Sequence, residues 1–201
     1  MLQPPPERWL PVTGALLLLC GAMLRAVDPA LDQRMLDALR YDGSGAIGAV
    51  ARTISGVGGA SVLGPLGLAI TAWLLWRRQI REALWLFLVV ATGRLMVEAA
   101  KLAFQMPRPP VSGRLVDVTS WSFPSSHSAG SMLTFLALAM LVRAHQREML
   151  ILAIGMAGLV GWSRMALGVH WPSDVAAGLG FGMLWAGAAR RWLNSSRFPP
   201  V

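Results

Sequence analysis

The chain has 201 residues, of which 55% are hydrophobic and only 14% are charged, and its formal net charge at pH 7 is +8. Soluble domains have about a quarter of their residues charged, so this composition excludes an ordinary soluble protein and indicates an integral membrane protein. The positive charge does not indicate a nucleic-acid partner, because the arginines do not form a continuous basic surface.

Apolar stretches recur along the chain at about the length, roughly 20 residues, that a helix needs to cross a membrane. Six spans are predicted, of which the fourth and fifth are short: Trp9–Val27, Gly58–Trp76, Ala83–Ala103, Ser128–Val142, Met149–Met165 and Val175–Trp192. The first is long for a signal peptide and lacks a clear small-residue cleavage site, so we expect it to be retained. The predicted fold is all-α, with six transmembrane helices in a single membrane-embedded domain over residues 1–201.

The segment from Asp28 to Arg52 is the longest one between predicted spans. Leu31, Met35 and Leu39 recur in it at helical spacing beside charged residues, which is typical of an amphipathic helix at a membrane interface. Such a helix could gate a lipid entrance or connect two spans. We favour the connector, because amphipathic periodicity alone is common.

A group of arginines falls on one side when the six spans are threaded in order. This group comprises Arg8, Arg77, Arg78, Arg81, Arg143, Arg147, Arg190, Arg191 and Arg197. By the positive-inside rule that side is cytoplasmic. The chain is therefore predicted to be a multi-pass protein of the inner (plasma) membrane with both termini in the cytoplasm.

Three short segments bring cations, histidines, hydroxyls and a carboxylate into this apolar chain. They cover 101–109, 124–127 and 163–174, and their polar residues include Lys101, Arg108, Ser125, Ser126, His127, Ser163, Arg164, His170 and Asp174. The same threading places all three segments at the outer membrane–water interface, facing the periplasm or the exterior. Such a set can neutralise the charge of a phosphate, supply a nucleophile and protonate a leaving oxygen.

The cations and serines of these segments are predicted to bind the phosphate. Lys101, Arg108 and Arg164 can neutralise its oxygens, since ammonium and guanidinium groups both pair with phosphate. Ser125 and Ser126 stand just before the fourth span, so their hydroxyls and N–H groups can add donors at a helix N-terminus.

The two histidines of these segments are predicted to carry the chemistry. His170 and Asp174 are four residues apart and share one face of a helical turn. A carboxylate on one imidazole nitrogen fixes the tautomer and makes the other nitrogen more basic, which favours His170 as a nucleophile that forms a phosphohistidine. His127 is left as the general acid for the leaving group and as the base for water afterwards.

Arg94 and Glu98 lie four residues apart inside the third predicted span, where ionisable groups are costly. They are either a structural ion pair that faces the bundle or a functional pair, and neither interpretation is favoured. In the functional interpretation Glu98 orients Lys101, which lies one turn further along the helix. Ser163 is a second candidate for a supporting role.

The three segments resemble the motifs of the type 2 phosphatidic acid phosphatase superfamily, which are Lys, six residues, Arg-Pro; Pro-Ser-Gly-His; and Ser-Arg, five residues, His, three residues, Asp. Two segments fit without departure, and the middle one differs only at Ser126, where the pattern has Gly. The resemblance implies a six-helix, metal-independent phosphatase that acts on lipid phosphates, with the residue roles given above. Vanadium haloperoxidases share the pattern, but they are soluble and much larger, so six predicted spans argue against them.

The expected substrate is a lipid phosphate or pyrophosphate. Undecaprenyl pyrophosphate is the first choice by family analogy, because recycling of that carrier needs an outward-facing site, and phosphatidic acid and phosphatidylglycerophosphate follow. Two alternatives stay open: a lipid phosphotransferase that uses the same phosphohistidine, and a non-enzymatic transporter or structural membrane protein. The polar residues lie at span ends and not at mid-bilayer, which argues against a transporter.

We expect no cofactor and no metal, since the sequence has no carboxylate-rich or Cys/His cluster. The expected partners are the lipid substrate and membrane lipids, with no nucleic acid, and the sequence does not fix the oligomeric state.

Overall fold

The computed structural model describes residues 7–43, 45–142 and 144–195, with side chains described up to residue 191 in the last range. Within these ranges the chain forms helices, turns and loops and no strand, which confirms the predicted all-α class. The helices are α1 Leu10–Val27, α2 Pro29–Leu39, α3 Ala46–Val57, α4 Ala60–Trp76, α5 Ile80–Phe104, α6 Ser126–Leu141, α7 Gln146–Ala166 and α8 Pro172–Ser195, with a 3-10 turn at Val111–Gly113.

All six predicted spans coincide with helices to within three residues at each end, and the second, Gly58–Trp76, matches α4. Helix α3 precedes α4 directly, so the apolar helical stretch begins at Ala46, earlier than predicted. The first part of α3 had been assigned to the amphipathic segment Asp28–Arg52, which the structure divides into α2 and the start of α3. The exposed Arg52 interrupts the apolar pattern of α3, whereas its buried face consists of small residues that pack against α7.

Four helical stretches in the described part of the chain are long and apolar enough to cross a membrane: Leu10–Val27, Ala46–Trp76, Ile80–Phe104 and Gln146–Ala166. The helix Ser126–Leu141 is apolar but shorter. The count of six spans therefore stays a prediction.

Helices α1 and α8 run antiparallel with their backbones in direct contact, which glycine permits. A Cβ atom placed on Gly14 would lie 2.4 Å from the backbone nitrogen of Leu184, and one placed on Gly180 would lie 2.3 Å from that of Leu18. Small residues at an interface let two helices approach closely in this way. The opposite face of α8 packs on α6, so α8 is held from two sides.

Helices α5 and α7 end, and α6 and α8 begin, at one end of the bundle, where the three polar segments lie. The N–H group of Ser125 donates to the carbonyl of Asp174 at 3.0 Å and joins the starts of α6 and α8. At the other end an ion pair of 3.1 Å between Glu7 and Arg190 joins the start of α1 to the end of α8. The described arginines of the predicted cytoplasmic group lie towards this second end, while Arg143, Arg197 and the C-terminus lie outside the described residues.

Gly180→Ala is expected to lower the apparent melting temperature of the detergent-solubilised protein by several degrees, because an added methyl group overpacks the α1–α8 contact at a cost of about 1–3 kcal/mol. Gly155→Ala in α7 is the matched control, since a Cβ atom there would meet nothing within 4 Å. Alanine stabilises an exposed helix over glycine by about 0.5–1 kcal/mol. The two variants should therefore shift in opposite directions, and equal shifts would contradict the packing described above.

Candidate active site

His170 and Asp174 form a hydrogen-bonded pair at the start of α8. Nδ1 of His170 lies 3.2 Å from Oδ2 of Asp174, and Nη1 of Arg108 lies 2.9 Å from Nε2 of His170. A guanidinium group can only donate, so Nε2 is the acceptor and the proton lies on Nδ1. The pair therefore keeps the imidazole in the tautomer whose lone pair is on Nε2.

The imidazole of His170 is neutral in this environment. Its side chain is 1% exposed, and burial, followed by the positive charge of Arg108, lowers its pKa well below the ordinary value of 6.5. Arg164 and Lys101 lower this pKa further. The contact with Asp174 is accordingly a hydrogen bond from a neutral ring and not an ion pair, and a neutral ring has the lone pair that a nucleophile needs.

The carboxylate of Asp174 collects donors from several parts of the chain. Its Oδ2 accepts from the hydroxyl of Ser122 at 2.5 Å and from the backbone N–H of Trp171 at 3.0 Å, besides Nδ1 of His170. Its Oδ1 is buried and has no hydrogen-bond partner among the described residues. Sequence analysis did not predict a role for Ser122. The only sequence feature that indicates one is its position two residues before the second motif.

Lys101 and Arg108 hold the segment that precedes α6. The ammonium group of Lys101, which is 2% exposed, donates to the carbonyl groups of Trp121 and Ser122, the latter at 3.3 Å. Arg108 donates to the carbonyl groups of Ser120 at 2.6 Å and Trp121 at 3.2 Å. Two of the predicted phosphate ligands thus bind backbone oxygens in this structure.

All five N–H groups of Arg108 have acceptors. Besides the contacts already described, Nη1 donates to the carbonyl of Val169 at 2.7 Å and Nη2 to the hydroxyl of Ser120 at 3.0 Å. Burial lowers the pKa of Arg108 to about 10, so the group is still charged at neutral pH. Because a guanidinium has five donors, a phosphate can bind Arg108 only by displacing one of these contacts.

Arg164, in the last turn of α7, keeps donors available for an anion. Its side chain is 4% exposed, Nη1 donates to the hydroxyl of Ser55 on α3, and Nε is buried with no partner among the described residues. Sequence analysis missed Ser55, because α3 had been assigned to a different kind of segment. The α3 helix thus supplies a residue that orients a predicted phosphate ligand.

The start of α6 presents backbone donors. Ser125 is the N-cap, and its hydroxyl oxygen accepts from the backbone N–H of Ser128 at 3.4 Å and from its hydroxyl at 3.0 Å. The first N–H groups of a helix have no acceptor within it, so those of Ser126 and His127 can donate to an anion. The hydroxyl of Ser126 instead donates to Oε1 of Glu98 at 2.7 Å.

The structure places His127 close to the other site residues without bonding it to them. A Cβ atom on Gly59, at the junction of α3 and α4, would lie 3.4 Å from its Nε2. In the described part of the chain the His127 ring has no hydrogen bond to another side chain, and burial, followed by the positive charges of Arg164 and Arg108, lowers its pKa to about 3. The ring is therefore not fixed by the partners that hold His170.

The two residues predicted to support the site make other contacts. Glu98 bonds to Ser126, and the ion pairs within the described ranges do not include one between Glu98 and Lys101. The hydroxyl of Ser163 donates to the carbonyl of Val160 in its own helix at 2.6 Å. The predicted contact of Glu98 with Lys101 is therefore replaced by one with Ser126, and Ser163 bonds within its own helix.

A buried aspartate outside the motifs fixes the start of α8. Oδ1 of Asp32, on α2, accepts from the backbone N–H of Ser173 at 2.9 Å, and Oδ2 accepts from its hydroxyl at 2.5 Å. Arg25 lies 3.7 Å from the same carboxylate and stacks on the ring of Trp171 at 4.8 Å. This packing fits α2 as a connector better than as a gate.

Among the described residues, no group of three or more His, Cys, Asp or Glu side chains is arranged to hold a metal ion.

Comparison with known proteins identifies a family and several relatives. The sequence profile of the PAP2 superfamily matches residues 82–198. Phosphatidylglycerophosphatase B of Bacillus subtilis (strain 168) is 35% identical over 138 residues, which are 65% of this chain and 68% of that protein. The crystal structure of a transmembrane PAP2-type phosphatidylglycerolphosphate phosphatase from Bacillus subtilis matches this fold with a TM-score of 0.85 at 28% identity. The superposition covers 95% of this chain and 100% of the Bacillus chain.

A more distant structure is similar in fold alone. The crystal structure of LpxE of Aquifex aeolicus has a TM-score of 0.62 at 21% identity. The superposition covers 80% of this chain and 95% of the LpxE chain. The profile match includes all three motifs, and the membrane-protein class indicated by composition agrees with the transmembrane relative. The resemblance carried by the motifs is thereby confirmed: the chain belongs to the PAP2 superfamily and is a phosphatase.

Proposed function

We propose that the protein hydrolyses a glycerolipid phosphate, with phosphatidylglycerophosphate as the first choice, through a phosphohistidine on His170. The observation that carries the proposal is the orientation of the His170 ring, with Nδ1 on Asp174 and Nε2 facing Arg108 at 2.9 Å. Relatives named for phosphatidylglycerophosphate move that lipid ahead of undecaprenyl pyrophosphate, the first choice from the motifs alone.

Binding of the phosphate comes first. Lys101, Arg164 and the N–H groups at the start of α6 neutralise its oxygens, with Ser125 fixing that helix start. Arg108 moves Nη1 from Nε2 of His170 to a phosphate oxygen, because a charge-assisted hydrogen bond to an anion is stronger than one to a neutral nitrogen. This exchange exposes the lone pair that attacks.

Attack and hydrolysis then use the two histidines in turn. Nε2 of His170 forms a bond to phosphorus while the bond to the lipid oxygen breaks. The bound phosphate offsets the cations that help to lower the pKa of His127, so this ring takes up a proton and gives it to the leaving oxygen. Asp174 offsets the positive charge that develops on the His170 ring. His127 next takes a proton from a water molecule, whose oxygen attacks phosphorus and releases inorganic phosphate. A lipid hydroxyl in place of water would make the protein a phosphotransferase.

We also propose that six helices span the inner membrane and that the site faces the periplasm or exterior. Support comes from the arginines that lie at the end of the bundle opposite the site. A green fluorescent protein fused after Val201 should therefore fluoresce in the cytoplasm, and alkaline phosphatase fused there should be inactive. Active alkaline phosphatase at that position would overturn this orientation.

The central experiment measures inorganic phosphate release by the purified protein from phosphatidylglycerophosphate, phosphatidic acid and undecaprenyl pyrophosphate. We expect release to be fastest from the first lipid, to be abolished in His170→Ala, to be blocked by orthovanadate and to be unaffected by a metal chelator. In His127→Ala turnover should fall and a phosphoenzyme should accumulate, because water must then attack phosphorus without a base. Wild-type turnover in His170→Ala would exclude the mechanism, and lipid consumed without phosphate release would indicate phosphotransfer.

The pH profile tests the neutral state of His170. Its neutral form is the active one and its pKa is lowered, so kcat/KM should persist as the pH falls through 6.5 and be lost only below the shifted pKa. Arg108→Gln removes a charge that lowers this pKa, and the acid limb should then move to higher pH despite lower overall activity. Titration of the substrate's phosphate is the same for both proteins, so it does not contribute to the difference between their pH profiles. Arg34→Gln, an exposed change on α2, is the control, and an acid limb that does not move in Arg108→Gln would contradict the assignment.

A further inference from the structure

Arg94 is a cation inside α5 whose Nε and Nη2 atoms donate to no described residue. It lies seven residues before Lys101 on the same helix, roughly 10 Å along the axis. Its Nε and Nη2 atoms are buried and have no hydrogen-bond partner among the described residues, and it forms no ion pair with Glu98 there. Buried donors without acceptors are costly, and more so for a charged group in a membrane-spanning helix, so this arrangement points to an acceptor that the described residues do not supply.

A cavity of about 200 Å³ lies beside this arginine, between α4, α5 and α6. Its lining includes Arg94, Glu98, Ser126 and Gly130, with apolar side chains such as Leu133 below them. A Cβ atom on Gly130 would lie 3.0 Å from the guanidinium group, so the absence of a side chain there leaves the space that the guanidinium occupies. The cavity reaches Ser126 and therefore adjoins the phosphate-binding start of α6.

The polar groups of the cavity follow a fixed order away from the phosphate site. The acceptor comes first, because the carboxylate of Glu98 bonds to the Ser126 hydroxyl at 2.7 Å. The donor comes next, because the Arg94 guanidinium packs on Gly130, one turn further into the bundle than Ser126. A ligand that fits this order has a hydroxyl near the cleaved phosphate and an anionic or carbonyl oxygen about one helical turn, roughly 5–6 Å, beyond it.

We propose that this cavity is a headgroup subsite, in which Glu98 accepts a hydrogen bond from the glycerol hydroxyl of the substrate and Arg94 binds its bridging phosphodiester. The inference rests on the proposed function. It assigns two residues that bind the part of the lipid headgroup beyond the cleaved phosphate. Phosphatidylglycerophosphate has both groups in this order. Phosphatidic acid has ester carbonyl groups for Arg94 but no hydroxyl for Glu98. A polyprenyl pyrophosphate has no hydroxyl either, and its second phosphate is bonded directly to the cleaved one, too close to it to reach Arg94 one helical turn further on.

Arg94→Gln is expected to raise KM for phosphatidylglycerophosphate about tenfold, since a charge-assisted hydrogen bond to the phosphodiester is lost. kcat should change little, because the reacting atoms lie elsewhere. KM should rise less for phosphatidic acid and least for undecaprenyl pyrophosphate. Arg77→Gln makes the same chemical change at an exposed position at the far end of α4, and it should leave all three KM values unchanged.

Glu98→Ala is a second variant, at an exposed position where folding is tolerant. It should raise KM for phosphatidylglycerophosphate and not for phosphatidic acid, which has no hydroxyl to lose. If Arg94→Gln does not yield folded protein, this pair of KM values decides the question.

Several outcomes would overturn the subsite. Equal KM changes for all three lipids would make Arg94 and Glu98 structural residues, and unchanged KM values would mean that the headgroup does not enter the cavity. Failure of the proposed function is a separate result, seen as a wild-type protein that releases no phosphate from any lipid or as an active His170→Ala variant.

Discussion

The buried carboxylate of Asp174 is the group on which the arrangement of the site depends. A carboxylate removed from water must be hydrogen-bonded, and Oδ2 here accepts from Ser122, His170 and Trp171. Ser122 comes from the loop before α6 and the other two from the turn before α8, so one oxygen fixes both segments relative to each other. The first turn of a helix also favours a negative charge. The orientation of His170, the proposed nucleophile, is therefore a consequence of how α8 begins.

The cations that are predicted to bind substrate also organise the protein. Lys101 and Arg108 donate to carbonyl groups of residues 120–122, and so position Ser122 for its bond to Asp174. Loss of either cation would disturb the carboxylate as well as phosphate binding. Mutational effects at these two positions should consequently be read as combined structural and ligand effects, whereas Arg164, with a buried donor unpaired among the described residues, reports more directly on binding.

Sequence alone predicted the parts that rest on composition and on local spacing. Apolar length located six helices closely, and the four-residue separation of His170 and Asp174 predicted their contact. It could not predict Ser122, Ser55 or Asp32, because a single polar residue gives no periodic signal and its partner lies far away in the chain. The start of α3 was missed for a related reason: small buried residues made the helix pack, while one exposed arginine dominated the pattern.

In the proposed mechanism, the contact between Arg108 and His170 links recognition of the phosphate to activation of the nucleophile. A neutral imidazole among buried cations has a lone pair that needs a donor, and the guanidinium group supplies it at 2.9 Å. In this mechanism a ligand without an anionic oxygen does not compete for that donor, so Nε2 of His170 stays hydrogen-bonded to Arg108 and does not attack. A phosphate can compete, because it forms charge-assisted hydrogen bonds with guanidinium. In the proposed mechanism, discrimination for phosphate thus precedes attack, and selection among lipid phosphates falls to the proposed subsite further along α5, where Arg94 lies.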